Sequence, residues 1–147
     1  MGDIAKDIQS TFPSNKVKAF INIKYTANWL NAKETLFFKP FGISPQQYNI
    51  LRILRGAREP IKVQLIKERM IERAPNATRM IDKLLDKKLV KRTRCKHDRR
   101  VVYVEISETG LNLIEKIAQH KTLNFLENIT EDEAEKLSDL LDKLRQI

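Results

Sequence analysis

Apolar residues recur along most of this chain at helical spacing, and the places where the pattern stops divide it into elements. From Asn15 to about Phe38, Val17, Phe20, Ile21, Tyr25, Trp29, Ala32 and Leu36 return every three or four residues, which predicts a long amphipathic helix ended by Pro40 and Gly42. Ser44-Pro45 supplies a capping hydroxyl followed by proline at the first helical position, opening a second helix through Tyr48, Leu51, Ile53 and Leu54 to near Gly56. Glu59-Pro60 is a turn, and Val63, Leu65, Ile66 and Met70 predict a third helix of two turns that ends before Glu72. The polar stretch from Ala74 to Arg79 leads into Met80, Ile81, Leu84 and Leu85, a fourth helix whose later turns bury one face.

The period then changes. Leu89 to Thr93 and Val101 to Ile106 are β-prone runs flanking Arg94-Cys95-Lys96-His97-Asp98-Arg99-Arg100, which predicts a hairpin with a basic tip. Ser107 to Gly110 open another helix through Leu111, Ile114, Ile117, Ala118 and Phe125, and the Thr130-x-x-Glu133 capping box starts a last one through Ala134, Leu137, Leu140, Leu141 and Leu144. The fold class is therefore mainly α with a small β-hairpin wing: a winged helix-turn-helix. Residues 1–14 read as a loose tail, 15–40 as an N-terminal dimerisation helix, 41–106 as the winged domain and 107–147 as C-terminal dimerisation helices. The dimer follows from the apolar stripes of the first and last helices, which a domain this small hides more easily against a second copy than within itself.

Charge sharpens this picture. The chain carries a net charge of +9, and all of the excess lies in the middle: Ser44 to Ile106 hold 17 basic and 7 acidic residues, while the rest holds 11 and 12. A basic centre on a helix-turn-helix points to double-stranded DNA. No apolar run is long enough to span a membrane, and the first residues lack the apolar core of a signal peptide, so the expected compartment is the cytoplasm and no membrane partner is expected. An enzyme is disfavoured by the lack of a Gly-rich phosphate loop, of metal-ligand spacing and of a Ser/His/Asp set. No cofactor is expected.

The stretch Asp98-Arg99-Arg100-Val-Val-Tyr-Val-Glu-Ile-Ser-Glu-Thr-Gly110 resembles the wing signature of the MarR family of transcriptional regulators, an Asp-x-Arg followed by a strand and a Leu/Ile-Thr/Ser-x-x-Gly turn. Ser44 to Arg55 is similar to the family's second helix, and Thr78 to Leu85 to its recognition helix, so the resemblance covers about residues 17 to 146. It implies a homodimeric regulator, read here as a repressor on a palindromic operator, released when a small aromatic or anionic molecule binds between the dimer helices and the winged domain. Tyr25, Trp29 and His120 are candidate lining residues, although aromatics on such helices are often plain core. Two departures stand out. The family usually places glycine after the recognition helix, where this chain has Lys87-Lys88-Leu89, and no cysteine lies near the first helix, where the peroxide-sensing branch keeps its reactive thiol.

The recognition helix enters the major groove by its leading turn, which makes Asn76, Thr78 and Arg79 the candidates for base and phosphate contacts, with Lys83 and then Lys87 one and two turns further on. Read without DNA, Asn76 is a helix cap and Arg79 and Lys83 are solvated charges. Arg99 and Arg100 suit a narrow minor groove, whose concentrated negative potential attracts arginine; read without DNA, the basic hairpin is an edge protected by charge. By resemblance, Asp98 orients a neighbouring arginine. Cys95 is a candidate redox switch because cationic neighbours activate thiols, against a bystander thiol in a strand. Cys95, His97 and Asp98 with the distant His120 make a poor zinc set, and no metal is expected. Two other readings compete: a winged-helix adaptor that binds proteins and needs no basic wing, and a sequence-tolerant DNA binder.

Overall fold

A computed structural model describes residues 2–120 and 124–146. The chain forms two compact units, residues 1–117 and 118–147.

The first unit opens with a one-turn helix, α1 (Ile4–Asp7), where the sequence pattern suggests only a loose tail. Asp3 Oδ1 caps it by accepting the Ala5 N–H at 3.1 Å and the Lys18 ammonium at 3.4 Å, and Ile4 is buried. Helix α2 (Asn15–Phe38) follows as expected; Ser14 Oγ accepts the Val17 N–H, and a single 3-10 turn over Lys39–Phe41 leads to Gly42 in the left-handed region at φ 70°. Over its whole length α2 buries only Phe38.

Helix α3 (Pro45–Ala57) is the centre of the core. Ser44 and Gln47 form a capping box, each side chain accepting the other's backbone N–H at 3.1 and 2.9 Å, and Ile50, Leu51 and Leu54 are buried on the face this start defines. The helix ends on Arg58, left-handed at φ 57°. The two residues of β1 (Ile61–Lys62) come next, then α4 (Val63–Arg69), which buries Ile66, and α5 (Ala77–Asp86), which buries Ala77, Ile81 and Leu84.

Strands β2 (Val90–Arg94) and β3 (Val102–Ile106) form the expected hairpin, with Val90 opposite Ile106 and Arg94 opposite Val102. The sheet is nevertheless three-stranded and antiparallel in the order β1-β3-β2, with Ile61 opposite Val104 and Lys62 opposite Tyr103. The predicted hairpin stands, and β1 adds a third strand that the sequence pattern does not predict. A two-residue strand has no alternation to detect, and its hydrogen bonds go to a strand some forty residues later in the chain.

Helix α6 (Glu108–Gln119) closes the first unit through Gly110, Ile114 and Ile117. It ends earlier than the apolar spacing suggests: Phe125 lies in a separate 3-10 segment, Asn124–Asn128, and residues 121–123 lie outside the described residues. A seven-residue interval such as Ala118 to Phe125 keeps helical phase whether or not the helix is continuous, so spacing overextends it. In the second unit, α7 (Glu131–Leu144) starts on the predicted box. Thr130 Oγ accepts the Glu133 N–H at 3.3 Å, and the Thr130 N–H donates to Glu133 at 2.9 Å, holding that carboxyl below the usual carboxylate range. No residue of α7 is buried.

Candidate nucleic-acid interface

Helix α5 separates its two faces cleanly. Ala77, Ile81 and Leu84 fall at helical spacing and sit in the core, with Met80 and Leu85 partly buried beside them. That fixes the rotation of the helix, and Thr78, Arg79, Asp82 and Lys83 are left on the outside. Arg79 and Lys83 are an i,i+4 pair of cations on one stripe, and among the described residues neither has an acidic partner. Of the two exposed acids of α5, Asp82 beside this pair is met by Arg92 of β2 at 3.1 Å, and Asp86 stands at the far end of the helix. A half-exposed pair of this kind adds at most about 1 kcal/mol to stability, but it offsets the carboxylate charge beside Arg79 and Lys83.

Asn76 stands at the N-cap position of α5 with φ −98° and makes no side-chain capping bond. The capping role open to it from sequence is thus not the one its side chain performs, and its amide is left to the outside. Lys87 differs from Lys83: its ammonium donates to the Gly42 carbonyl, so it ties the end of α5 to the loop before α3.

The end of α5 accommodates the absent glycine at a cost. Lys88 takes φ 59°, its N–H donating to the Leu85 carbonyl at 2.8 Å while the Leu89 N–H donates to the Leu84 carbonyl at 3.0 Å. This is a Schellman ending built on lysine, a conformation that costs a non-glycine residue about 1 kcal/mol. The start of α6 clamps it from above. Ser107 Oγ donates to the Lys88 carbonyl at 2.7 Å, the Ser107 N–H donates to the Leu89 carbonyl at 3.0 Å, and the Gly110 N–H donates to Ser107 Oγ at 3.0 Å. A Cβ on Gly110 would lie 2.2 Å from the Leu89 carbonyl oxygen and 2.7 Å from Ile106 Cγ1. Glycine is therefore required there by contact, and the Ser-x-x-Gly turn is the joint that sets the wing against α5.

The wing tip is a turn whose corners are the two arginines. The Val101 N–H donates to the Asp98 carbonyl at 3.0 Å and the Arg100 N–H donates to Asp98 Oδ1 at 2.9 Å, which places Arg99 and Arg100 at the two central positions, both exposed. Aspartate at the first position of such a turn uses its carboxylate to hold backbone ahead of it. Asp98 thus orients the arginines through the main chain, and among the described residues it makes no ion pair with a guanidinium. Cys95 sits just beyond β2, half-buried, its N–H donating to the Val101 carbonyl at 3.0 Å. No group of three metal-ligating side chains occurs among the described residues.

Three residues of the same surface escape sequence inspection. Gln64 and Lys67 on α4, with Arg73 ahead of Ala74-Pro75, line an open cleft of about 530 Å³ beside the turn that joins α4 to α5, together with Glu68, which accepts from the Gln64 amide at 3.3 Å. In a helix-turn-helix the first helix and the turn cross the phosphate backbone. That rule, applied to the basic residues already counted, would have singled out Lys67 and Arg73.

Behind this surface a cavity of about 460 Å³ opens between α2, α3 and the residues after α4, with Phe38, Tyr48, Met70 and Ile71 among its walls. Tyr25 and Trp29 are elsewhere: with Ile4 and Asp7 they line a cleft of about 290 Å³ under α1, and His120 lies exposed in the second unit. None of the described helices is long and apolar enough to cross a membrane.

Comparison with known proteins agrees with this architecture. The family model of the MarR family matches residues 43–102. The HTH-type transcriptional repressor MdtR of Bacillus subtilis (strain 168) is 32% identical over 108 residues, covering 71% of this chain and 69% of its own. The crystal structure of a MarR transcription factor from Planctomyces limnophilus is 33% identical with a TM-score of 0.63, over 90% of this chain and 98% of that one. A mutant MarR from E. coli complexed with operator DNA superimposes with a TM-score of 0.71 at 24% identity, over 99% of this chain and 100% of that one, a likeness of fold.

Proposed function

The chain belongs to the MarR family of winged helix-turn-helix transcription regulators, and from that premise we propose that it binds a palindromic DNA operator as a homodimer and acts there as a repressor. The observation that carries this reading is the outer face of α5: Thr78, Arg79 and Lys83 are exposed and without acidic partners among the described residues, while Ala77, Ile81 and Leu84 behind them fix the helix in place. Arg79 suits guanine, donating to both O6 and N7, and the Asn76 amide suits adenine, donating to N7 and accepting from the N6–H. Lys83, Lys67 and Arg73 supply phosphate contacts that position without specifying. The turn at Asp98 delivers Arg99 and Arg100 to the adjacent minor groove.

Dimerisation is supported by the exposed apolar side chains of the terminal helices, Phe20 and Leu36 on α2 and Leu137, Leu140 and Leu144 on α7. Two copies would set their α5 helices one DNA turn, about 34 Å, apart. The cavity beside the helix-turn-helix is the place for a small aromatic effector, since Phe38, Tyr48, Met70 and Ile71 give it flat and aliphatic surface and it abuts the segment leading into α5.

Selection of duplexes from a random library at physiological salt, repeated with Arg79→Ala and Arg100→Ala, tests the reading. Enrichment of a palindrome that both substitutions weaken is the expected result. Binding without enrichment would identify a sequence-tolerant DNA binder, and no binding would leave the protein-interaction adaptor.

A further inference from the structure

The segment that leads into α5 hangs from α3 by two side-chain bonds. Gln46 Nε2 donates to Glu72 Oε2 at 2.8 Å, and the Ile71 N–H donates to Asn49 Oδ1 at 3.0 Å. The anchors are three residues apart on α3, and the anchored residues stand only four and five positions before Asn76. All four residues line the 460 Å³ cavity. Whatever fills that space therefore touches both side-chain bonds between α3 and the segment before the recognition helix, whose own place is fixed by Ala77, Ile81 and Leu84 in the core.

The lining also specifies what can fill it. Phe38, Tyr48, Met70 and Ile71 offer flat and aliphatic surface, and Ile71 is 91% exposed, a large apolar side chain at the mouth with nothing over it in the single chain. The charges are unequal: Glu34 and Glu72 against Arg52. Among the described residues Glu34 has no hydrogen bond or ion pair, and the one partner of Glu72 is a neutral amide. Arg52 is exposed, as is Glu72, and lines a second cleft with Arg55 and Arg58, while Glu34 is half-buried and leaves the lining with one more acid than base.

From this lining and these tethers we infer that the cavity takes an aromatic ligand bearing a planar cationic donor group, such as an amidinium, and that this ligand acts on DNA binding by taking Glu72 from Gln46. The inference rests on the regulator reading above and names the ligand chemistry and the signal of its effector site. An amidinium gives a carboxylate two parallel charge-assisted bonds where Gln46 gives one neutral bond, whereas a carboxylate ligand would meet two like charges. Once Gln46 is displaced, residues 71–72 keep one side-chain bond of two, which loosens the segment between the buried Met70 and Ala77 that leads into α5. The coupling must be mutual: DNA weakens the ligand by the factor by which the ligand weakens DNA.

The test uses 2-naphthamidine and 2-naphthoate, which share a shape and differ in charge. Binding of each to the free full-length protein is followed by NMR through the Gln46 and Asn49 side-chain amides, and operator affinity is then measured with each present, the duplex alone serving as blank. The amidine should bind at least tenfold tighter than the carboxylate and weaken operator binding. Glu72→Gln should abolish the preference. Gln46→Ala, which keeps the carboxylate and removes the tether, should still bind the amidine, while its operator affinity, already lowered, should no longer respond. Tighter or equal binding of naphthoate, a preference that survives Glu72→Gln, or amidine binding that leaves wild-type operator affinity unchanged would each overturn the proposal. A wild-type protein that binds no operator would overturn the regulator reading and the coupling with it, while the charge preference of the free protein is decided without DNA.

Discussion

Helices α5 and α7 are built from similar patterns and end in opposite conditions. Ala77, Ile81 and Leu84 of α5 are at most 2% exposed, whereas Leu137, Leu140 and Leu144 of α7 are 51%, 64% and 64% exposed, as are Phe20 and Leu36 of α2 at 55% and 67%. The difference lies in what each helix finds within its own chain. Helix α5 meets α3 and the wing, both covered with complementary apolar surface. Each of these leucines on the terminal helices, already partly covered, forgoes about 1 kcal/mol of further burial, which a second copy would recover. The winged region is thus complete in one chain, and its stability should not depend on protein concentration, while the terminal helices should depend on it strongly.

The joint at Gly110 is where that completeness breaks most readily. Gly110→Ala pushes a methyl group into the Leu89 carbonyl oxygen, 2.2 Å from the new Cβ, and backbone on both sides leaves little room to yield. A loss of about 3 kcal/mol is expected, read as a fall in urea midpoint that is the same at low and high protein concentration. A concentration-dependent loss would mean that the winged region also borrows stability from the partner copy. Next in size, Leu137→Asp with Leu140→Asp places two carboxylates on the exposed stripe of α7. Sedimentation should show the dimer constant weakened at least a hundredfold, about 2.7 kcal/mol, with the near-ultraviolet spectrum of the winged region retained. A dimer that survives both substitutions would place the interface off this face. Arg79→Ala then reads the outer face of α5: operator affinity should fall by about 2 kcal/mol, roughly thirtyfold, with relaxed preference at one position of each half-site. Lys83→Ala should lower affinity evenly across sequences and reduce the salt slope by about 1.

What could be read in advance follows the range of the interactions. Ser44 with Gln47, Thr130 with Glu133, and the turn at Asp98 are all closed within three residues, so their chemistry is visible in the chain. The outer face of α5 was readable too, because Ala77, Ile81 and Leu84 fix it by period alone. The contacts that escaped are tertiary. Arg92 covers Asp82 across ten residues, and Gln46 reaches Glu72 across twenty-six. Strand β1 exists only because Val104 and Tyr103 are there to pair with it. Gly110 belonged to a recognisable motif, yet the reason it must be glycine is the carbonyl of Leu89. Lys67 and Arg73 were indistinguishable from solvated charges until the fold brought them to one cleft at the turn between α4 and α5.

The smallest effect bears on the same joint from the other side. Lys88 holds a left-handed conformation at φ 59° that glycine adopts without strain. Lys88→Gly relieves about 1 kcal/mol of that strain, partly offset by the greater freedom glycine brings to the unfolded chain. The Lys88 side chain makes no hydrogen bond or ion pair among the described residues, and the bonds that define the turn come from its N–H and carbonyl, which glycine keeps. The variant should therefore unfold at higher urea with operator preference unchanged, losing at most the weak phosphate attraction of one exposed cation. If it is instead less stable, the Ser107 clamp on the Lys88 carbonyl already selects the left-handed turn so fully that glycine contributes only unfolded-state entropy. That outcome would move the control of the wing from the end of α5 to the start of α6.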